Sequence, residues 1–295
     1  MSLYICMDIG STDLKYGLID EAGRILLKQS RPSEAGQGGP RLMEVVKEAA
    51  AEMISRAVQR PEGICLSTSG MVDCEKGSIL YAYAGQIPEY TGMPVKSIME
   101  EAFHIPCEIE NDVKCAALGE YYQGEAAGDC FMMTIGTGIG GCYIRRGEVV
   151  HGAGASAGEV GYMEVNGRRF QDLASASALC RRVAERKGIS SITGYEVFDQ
   201  AKEGDAICLE EIDALCEALA SGIAILCYVL NPDRIVLGGG IMAQERMLRP
   251  RIERVLAQKL LPVVYGSTRL CFAKTKNDAG MIGAFYHFQN QRRKE

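Results

Sequence analysis

Apolar positions along this chain come first in short runs between turns and then at helical spacing. Residues 3–8 and 16–19 are apolar runs around a polar, glycine-containing turn, and a third run, 24–28, follows Glu21, Ala22 and Gly23. Short runs bounded by turn residues predict a hairpin-rich β-meander. The spacing then changes. Leu42, Val45, Val46, Ala49, Ala50, Met53, Ile54 and Ala57 recur on one face of a long amphipathic helix that Pro61 closes. Residues 63–67 predict a buried strand that runs into the turn Ser69-Gly70. Beyond Val165 the chain is helical over 173–187, 195–202 and 210–230, where Asn231-Pro232 stops the last helix. A buried strand, 234–237, ends in Gly238-Gly239-Gly240 and precedes a helix over 242–259. Strand 270–273, turn 277–280 and helix 281–288 close the chain, and the last helix is expected to return to the first lobe.

One pattern occurs twice. Residues 6–19 and 132–144 each read as an apolar strand, a Gly/Thr turn and a second apolar strand. Internal repetition identifies an architecture before any single motif does. It predicts two related lobes, 1–112 with 281–295 and 113–280, each offering a hydroxyl-bearing glycine turn to a nucleotide clamped from both sides.

Composition narrows the class. The chain has 295 residues, 47% hydrophobic and 24% charged, enough for two ordinary globular cores. A formal charge of −6 and a pI near 5.4 argue against a nucleic-acid surface, which needs clustered Lys and Arg. Of twelve cysteines, Cys6, Cys65, Cys130, Cys142 and Cys227 lie in apolar runs and read as buried hydrophobes. With no C-x-x-C pair and only His104, His151 and His287 available, a structural zinc site has little ligand material. Reduced thiols predict a cytoplasmic location. No signal peptide and no apolar stretch of membrane length are expected, and the basic residues at 292–294 read as a solvated tail.

The candidate chemistry sits in the turns. Asp8 ends a buried strand, and Gly10, Ser11 and Thr12 behind it, with Lys15 in the next strand, offer backbone N–H groups, hydroxyls and a cation to phosphate oxygens. Asp8 would hold Mg²⁺, directly or through water. Alone, this turn reads better as a hairpin with a solvated Asp, and only the repeat at Gly136, Thr137 and Gly138 favours phosphate. The latter turn leads into strand-like Cys142 to Ile144 and not into a helix, which excludes a dinucleotide fingerprint; a tight hairpin needing positive φ is its other reading. Asp112 opens a predicted helix, either as an N-cap or as the acceptor of a sugar hydroxyl proton with Asn111 on a neighbouring hydroxyl. The small-residue loop 152–158 leads to Glu159 and Tyr162, a flexible surface loop or a sugar-binding one. Gly239 and Gly240, and the turn 277–280, border an adenosine pocket or are structural turns.

With these residues in hand, the sequence resembles the ROK family of bacterial sugar kinases and sugar-responsive repressors, within the actin, hexokinase and heat-shock ATPase superfamily. The resemblance spans essentially the whole chain and rests on residues 8–12, 110–112 with 116–120, 136–141, 157–161 and 237–240. It implies an α/β fold of two ribonuclease-H-like domains with ATP and Mg²⁺ in the interdomain cleft, Asp112 as catalytic base, and a sugar held by Ser69, Gly70, Asn111, Glu159, Tyr162 and Gln171. A small-molecule sugar substrate and a homodimer follow, with neither nucleic acid nor membrane as partner. The chain departs from the family pattern at Ser11, at Tyr162 in place of a His, at Gln171 in place of a Glu, and in lacking a cysteine cluster between Tyr162 and Cys180. These departures imply that the family's zinc site is missing. They point to the subgroup that includes β-glucoside kinases and N-acetylmannosamine kinases, and away from typical glucokinases. Without an N-terminal helix-turn-helix the repressor reading is disfavoured. A sugar sensor that has lost catalysis and a sugar-independent ATPase are the competing readings.

Overall fold

Strand β1, Leu3–Ile9, is apolar except at Asp8 and buried on both sides, as a central strand covered on two faces must be. Ile5, Met7 and Ile9 enter one core and Tyr4 and Cys6 another, following the two-residue period of a strand. The computed structural model describes residues 2–293. Its first unit comprises Met1–Gly124, Gly152–Ser156 and Asn277–Glu295. After β1 come the antiparallel β2 (Asp13–Asp20) and β3 (Ile25–Pro32), helix α1 (Gly39–Arg56), and β4 (Gly63–Thr68), which lies parallel to β1. A small hairpin of β5 (Met71–Asp73) and β6 (Ser78–Tyr81) leads to α2 (Val95–Phe103), then to β7 (Cys107–Asn111) parallel to β4, and to α3 (Asp112–Gln123). The sheet order is β3-β2-β1-β4-β7. Leu42, Val46 and Met53 of α1 and Met99 of α2 cover one face. Cys115 of α3 and Phe285 and Phe288 of the C-terminal helix, Ala279–Arg292, cover the other.

This unit extends to Gly124 and resumes at Asn277, where the sequence suggests Asp112 and Met281. The reason is a close helix crossing. A Cβ on Gly283 would stand 1.6 Å from the Cys115 carbonyl oxygen, and one on Gly119 2.6 Å from that of Ala279. Backbone contact this tight makes α3 and the C-terminal helix one packing element.

The second unit, Glu125–His151 with Ala157–Lys276, repeats the plan. It contains β8 (Cys130–Ile135), β9 (Ile139–Arg145), β10 (Glu148–Val149) and a minimal hairpin, β11 (Glu164–Val165) with β12 (Arg168–Arg169). Then follow α4 (Phe170–Ala174), α5 (Ala176–Lys187), α6 (Gly194–Lys202), α7 (Ala206–Leu230), β13 (Arg234–Gly238), α8 (Glu245–Lys259), α9 (Pro262–Ser267) and β14 (Arg269–Phe272). The main sheet runs β10-β9-β8-β13-β14. In both sheets the third, second, first, fourth and fifth strands stand side by side, with only the first two pairings antiparallel. The repeated segments 6–19 and 132–144 are the leading hairpins of these sheets.

Helix α7 corrects one expectation, since by length and composition it is apolar enough to cross a membrane. Leu215, Leu219 and Ile223 instead form the centre of the unit's core, and Gly222 leaves room for the Phe170 ring, whose Cζ would lie 2.4 Å from a Cβ there. The helix expected over 173–187 is broken at Ser175, which is extended and accepts a hydrogen bond from the Ala178 amide at 3.1 Å. That cap starts α5 afresh. Likewise 242–259 begins as a 3-10 turn, Gly240–Gln244, before α8. The solvated-tail reading holds for Arg293, which is exposed, but only in part for Arg292, whose guanidinium stands over the Phe288 ring at 5.3 Å and 3.9 Å from Glu108; Lys294 lies outside the described residues. Among the described residues no disulfide is formed, and Cys6, Cys65, Cys130, Cys142 and Cys227 are buried.

Candidate active site

In the first unit the expected residues collect at the C-terminal ends of β1, β4 and β7, the place where open α/β sheets hold their ligands. Register puts Asp8 beside Ser67 and Ser67 beside Glu110. The Asp8 carboxylate accepts from the Ser67 hydroxyl at 2.8 Å and lies 3.4 Å from the Lys15 ammonium. Gly10 closes the following turn by donating to the Asp13 carbonyl at 2.9 Å, and Ser11 and Thr12 are exposed on it. Ser11 is absent from the residues of positive φ, so a side chain is tolerated where the family has glycine. Of the two readings of the turn 277–280, the structural one has an observation at Gly280: a Cβ there would stand 2.5 Å from the Asp8 carboxyl carbon. The start of the C-terminal helix therefore backs the Asp8 carboxylate.

Asp112 is the first residue of α3, and Asn111 caps the helix. Asn111 Oδ1 accepts from the amides of Val113 and Lys114 at 3.0 and 3.1 Å. Its Nδ2 donates to the Gly70 carbonyl and to Asp112 Oδ1, both at 2.9 Å. The Val113 amide also donates to Asp112 Oδ1 at 2.8 Å, and Ser69 Oγ donates to Oδ2 at 3.3 Å. Both donors and both lone pairs of the Asn111 amide are thus spent within the protein, and its geometry suits fixing Asp112 and Gly70. Behind the turn, Thr68 shares a 3.0 Å hydrogen bond with Tyr90, whose phenol burial pushes up to about 12 and keeps neutral. Lys114, buried two residues beyond Asp112, donates to the Ala155 carbonyl at 2.7 Å and ties the 152–156 loop to α3.

Asn111 makes a discriminating prediction. Asn111→Ala removes the cap, costing about 1 kcal/mol, and releases Asp112, so kcat falls on the order of 10²-fold. Asn111→Asp keeps a capping oxygen but loses both Nδ2 donors and sets a second carboxylate against the Gly70 carbonyl and Asp112 Oδ1, so kcat and the denaturation midpoint are both expected to fall although the cap is kept. Steady-state kinetics with urea denaturation make the check, and an Asn111→Asp protein with both unchanged contradicts the positioning.

In the second unit the same strand ends carry Gly136–Gly138 and Gly238–Gly240. The Gly136 amide donates to the Gly138 carbonyl, and the Ala176 amide, first in α5, donates to the Gly136 carbonyl, both at 2.9 Å. Neither Gly136 nor Gly138 has positive φ, so strain does not explain these glycines. Space explains Gly138, where a Cβ would lie 2.8 Å from Gln171 Oε1, whereas nothing lies within 4 Å of a Cβ at Gly136. Gly136, Thr137, Ser177, Tyr195, Phe198 and Gly240 line a cavity of about 310 Å³, the size of a small-ligand pocket. Cys180 is a further wall, its thiol pushed up by burial and hence uncharged. Gly239, at φ +105, packs on strand β8, with the Ile135 carbonyl 2.2 Å from where its Cβ would be. The break at Ser175 is what sets Ala176 and Ser177 against this cavity. A larger groove of about 1270 Å³ runs along β14 and α8, but Glu125 with Lys274 and Arg249 with Glu245 neutralise each other there.

Glu159 precedes a 3-10 turn, Val160–Tyr162, in the same unit. The turn is held close to β9, because a Cβ on Gly161 would lie 2.3 Å from the Ile139 carbonyl. Gln171 sits beside both Gly138 and Gly161. Tyr162, 55% exposed, has the Arg169 guanidinium 5.8 Å from its ring centre.

Ser67, Lys114, Ala176, Ser177, Tyr195 and Phe198 were not singled out by sequence. A Ser ending the apolar run 63–67 was a usable signal; the others depend on helix placement.

A five-stranded mixed sheet built twice, with a glycine turn after the first strand of each copy, is the double ribonuclease-H-like fold of the actin and hexokinase class. Within it the chain belongs to the ROK family, whose pattern matches residues 4–291. An uncharacterised protein of Clostridium perfringens is 50% identical over 98% of each chain. A β-glucoside kinase of Klebsiella pneumoniae is 33% identical over 95% of this chain and 94% of its own. A ROK hexokinase from Thermus thermophilus superimposes with a TM-score of 0.83 at 26% identity, covering 98% of this chain and 99% of the other.

Proposed function

We propose that this chain is an ATP-dependent sugar kinase. It transfers the γ-phosphate to a hexose or hexose derivative of the glucose, β-glucoside or N-acetylmannosamine class, with the primary 6-hydroxyl as acceptor. The observation that carries this reading is the Asp112 carboxylate, one oxygen held by backbone and the Asn111 amide, the other already accepting from an alcohol, Ser69. A sugar hydroxyl in that place gives its proton to Asp112 as its oxygen bonds to the γ-phosphorus, and the bond to ADP breaks. Asn111 positions the base, Ser69 and Gly70 border the sugar, and Glu159 with Tyr162 and Gln171 completes its hydrogen bonding. Gly10, Ser11, Thr12 and Lys15 hold phosphate oxygens from one turn, and Gly136, Thr137 and Gly138 from the other. The 310 Å³ cavity beside Gly240 takes the adenosine. Asp8 fits a magnesium-phosphate complex, because its partly exposed carboxylate has only a hydroxyl and a lysine beside it and no side chain at Gly280. Magnesium there supplies charge neutralisation.

Cysteines that form no disulfide support a reducing, cytoplasmic setting. Exposed Ile225, Tyr228 and Val229 on α7 and Leu261 and Val263 beside them support a homodimer. ADP release over a panel of hexoses tests the activity. At least one sugar is expected to raise turnover well above the Asp112→Ala background, and a panel that raises none contradicts the reading.

A further inference from the structure

Beside the Ser69-Gly70 turn the first unit exposes aromatic surface that phosphate transfer does not use. The β5–β6 pairing sets Met71 against Tyr81 but Val72 against Ile79, so Leu80 is an extra, bulged residue. Bulges bend a strand and re-aim its side chains. Past the bulge, Ala82 is buried and clamped, its amide donating to Thr91 Oγ1 at 3.0 Å and its carbonyl accepting from it at 3.3 Å. Tyr81 and Tyr83 on either side are 51% and 65% exposed, as alternation about an inward Ala82 requires. Among the described residues neither ring has an aromatic, cationic or hydrogen-bonding partner. Tyr83 is nonetheless held: a Cβ on Gly85 would stand 2.7 Å from its Cε1, and the Gln86 and Ile87 amides close a turn on its carbonyl at 2.8 and 3.1 Å. A rigid, large and unpartnered ring is a ready stacking surface.

The segment that carries these rings adjoins the Ser69-Gly70 turn. Gly70, whose carbonyl Asn111 holds, packs so near β6 that a Cβ on it would meet the Tyr81 carbonyl at 2.7 Å. Tyr83 lies two residues further, ~7 Å along extended chain. A hexose with its 6-hydroxyl at Asp112 has its anomeric carbon at the opposite end of the ring. We propose that Tyr81 and Tyr83 form a platform for a second ring attached there. The preferred acceptor is then a glycoside with an aryl or glycosyl aglycone in place of the free hexose. This rests on the kinase reading above.

The test compares kcat/KM for ADP release with glucose, phenyl β-glucoside and cellobiose. Wild type is expected to favour the two-ring acceptors at least ~10-fold, equivalent to about 1.4 kcal/mol. Tyr83→Ala is expected to lower that ratio about tenfold and Tyr83→Phe, which keeps the ring, to preserve it. A wild-type ratio near or below one overturns the platform, as does an unchanged ratio in a protein carrying both Tyr81→Ala and Tyr83→Ala. If the variants do not fold, the wild-type ratio decides alone. Absence of turnover with every sugar would instead overturn the kinase reading, and the platform with it.

Discussion

Asp112→Asn is expected to lower kcat on the order of 10³-fold, within the range that a positioned general base contributes. The substitution is nearly isosteric, and the surroundings accept it. A carboxamide oxygen in the place of Oδ1 still receives the Val113 amide and the Asn111 Nδ2 at 2.8 and 2.9 Å. A carboxamide nitrogen in the place of Oδ2 finds the Ser69 hydroxyl, which can accept as well as donate. The helix cap belongs to Asn111 and is untouched. What is lost is the ability to take a proton. Steady-state kinetics with calorimetry on the same protein make the check: kcat collapses while the affinities for sugar and nucleotide stay within a fewfold of wild type. A kcat within tenfold of wild type contradicts the base assignment.

Gly283→Ala is expected to cost at least about 3 kcal/mol, the upper end of overpacking penalties. Its Cβ would fall 1.6 Å from the Cys115 carbonyl oxygen and 2.3 Å from the carbonyl carbon, and no rotamer relieves a clash with backbone. The C-terminal helix has to move off α3, taking Phe285 and Phe288 out of the core they share with Tyr4, Cys6 and Cys65. Because α3 begins at Asp112, any protein that still folds also misplaces that carboxylate. Gly36→Ala is the control, since nothing lies within 4 Å of a Cβ there. Urea denaturation should show the Gly283 variant strongly destabilised or insoluble, and the Gly36 variant within about 0.5 kcal/mol of wild type. A Gly283→Ala protein of normal stability contradicts the packing described.

How far these features could be read from sequence depended on the range of the interactions behind them. The leading hairpins of both sheets were legible because a turn between two apolar strands is local, and its recurrence at 6–19 and 132–144 announced the duplicated sheet. The start of α3 at Asp112 was legible for the same reason. That Asn111 supplies the cap was not, since either side chain satisfies capping rules. The break at Ser175 was hidden inside a continuous helical pattern; only the hydrogen bond from Ala176 to Gly136, forty residues away in sequence, shows why the chain pauses there. Gly280 read as either a pocket border or a structural turn, and only the return of the C-terminal helix to β1 shows it packed against Asp8. Tyr195 and Phe198 of α6 were read as part of a helix, and their place on the cavity wall depends on how that helix packs.

The most direct measurement is the ³¹P spectrum of the protein incubated with MgATP and a hexose or hexoside. The account predicts a phosphomonoester resonance on the sugar growing in step with ADP, and its loss in Asp112→Asn. Inorganic phosphate appearing in place of the sugar phosphate, or ATP left intact while sugar binds, would contradict it.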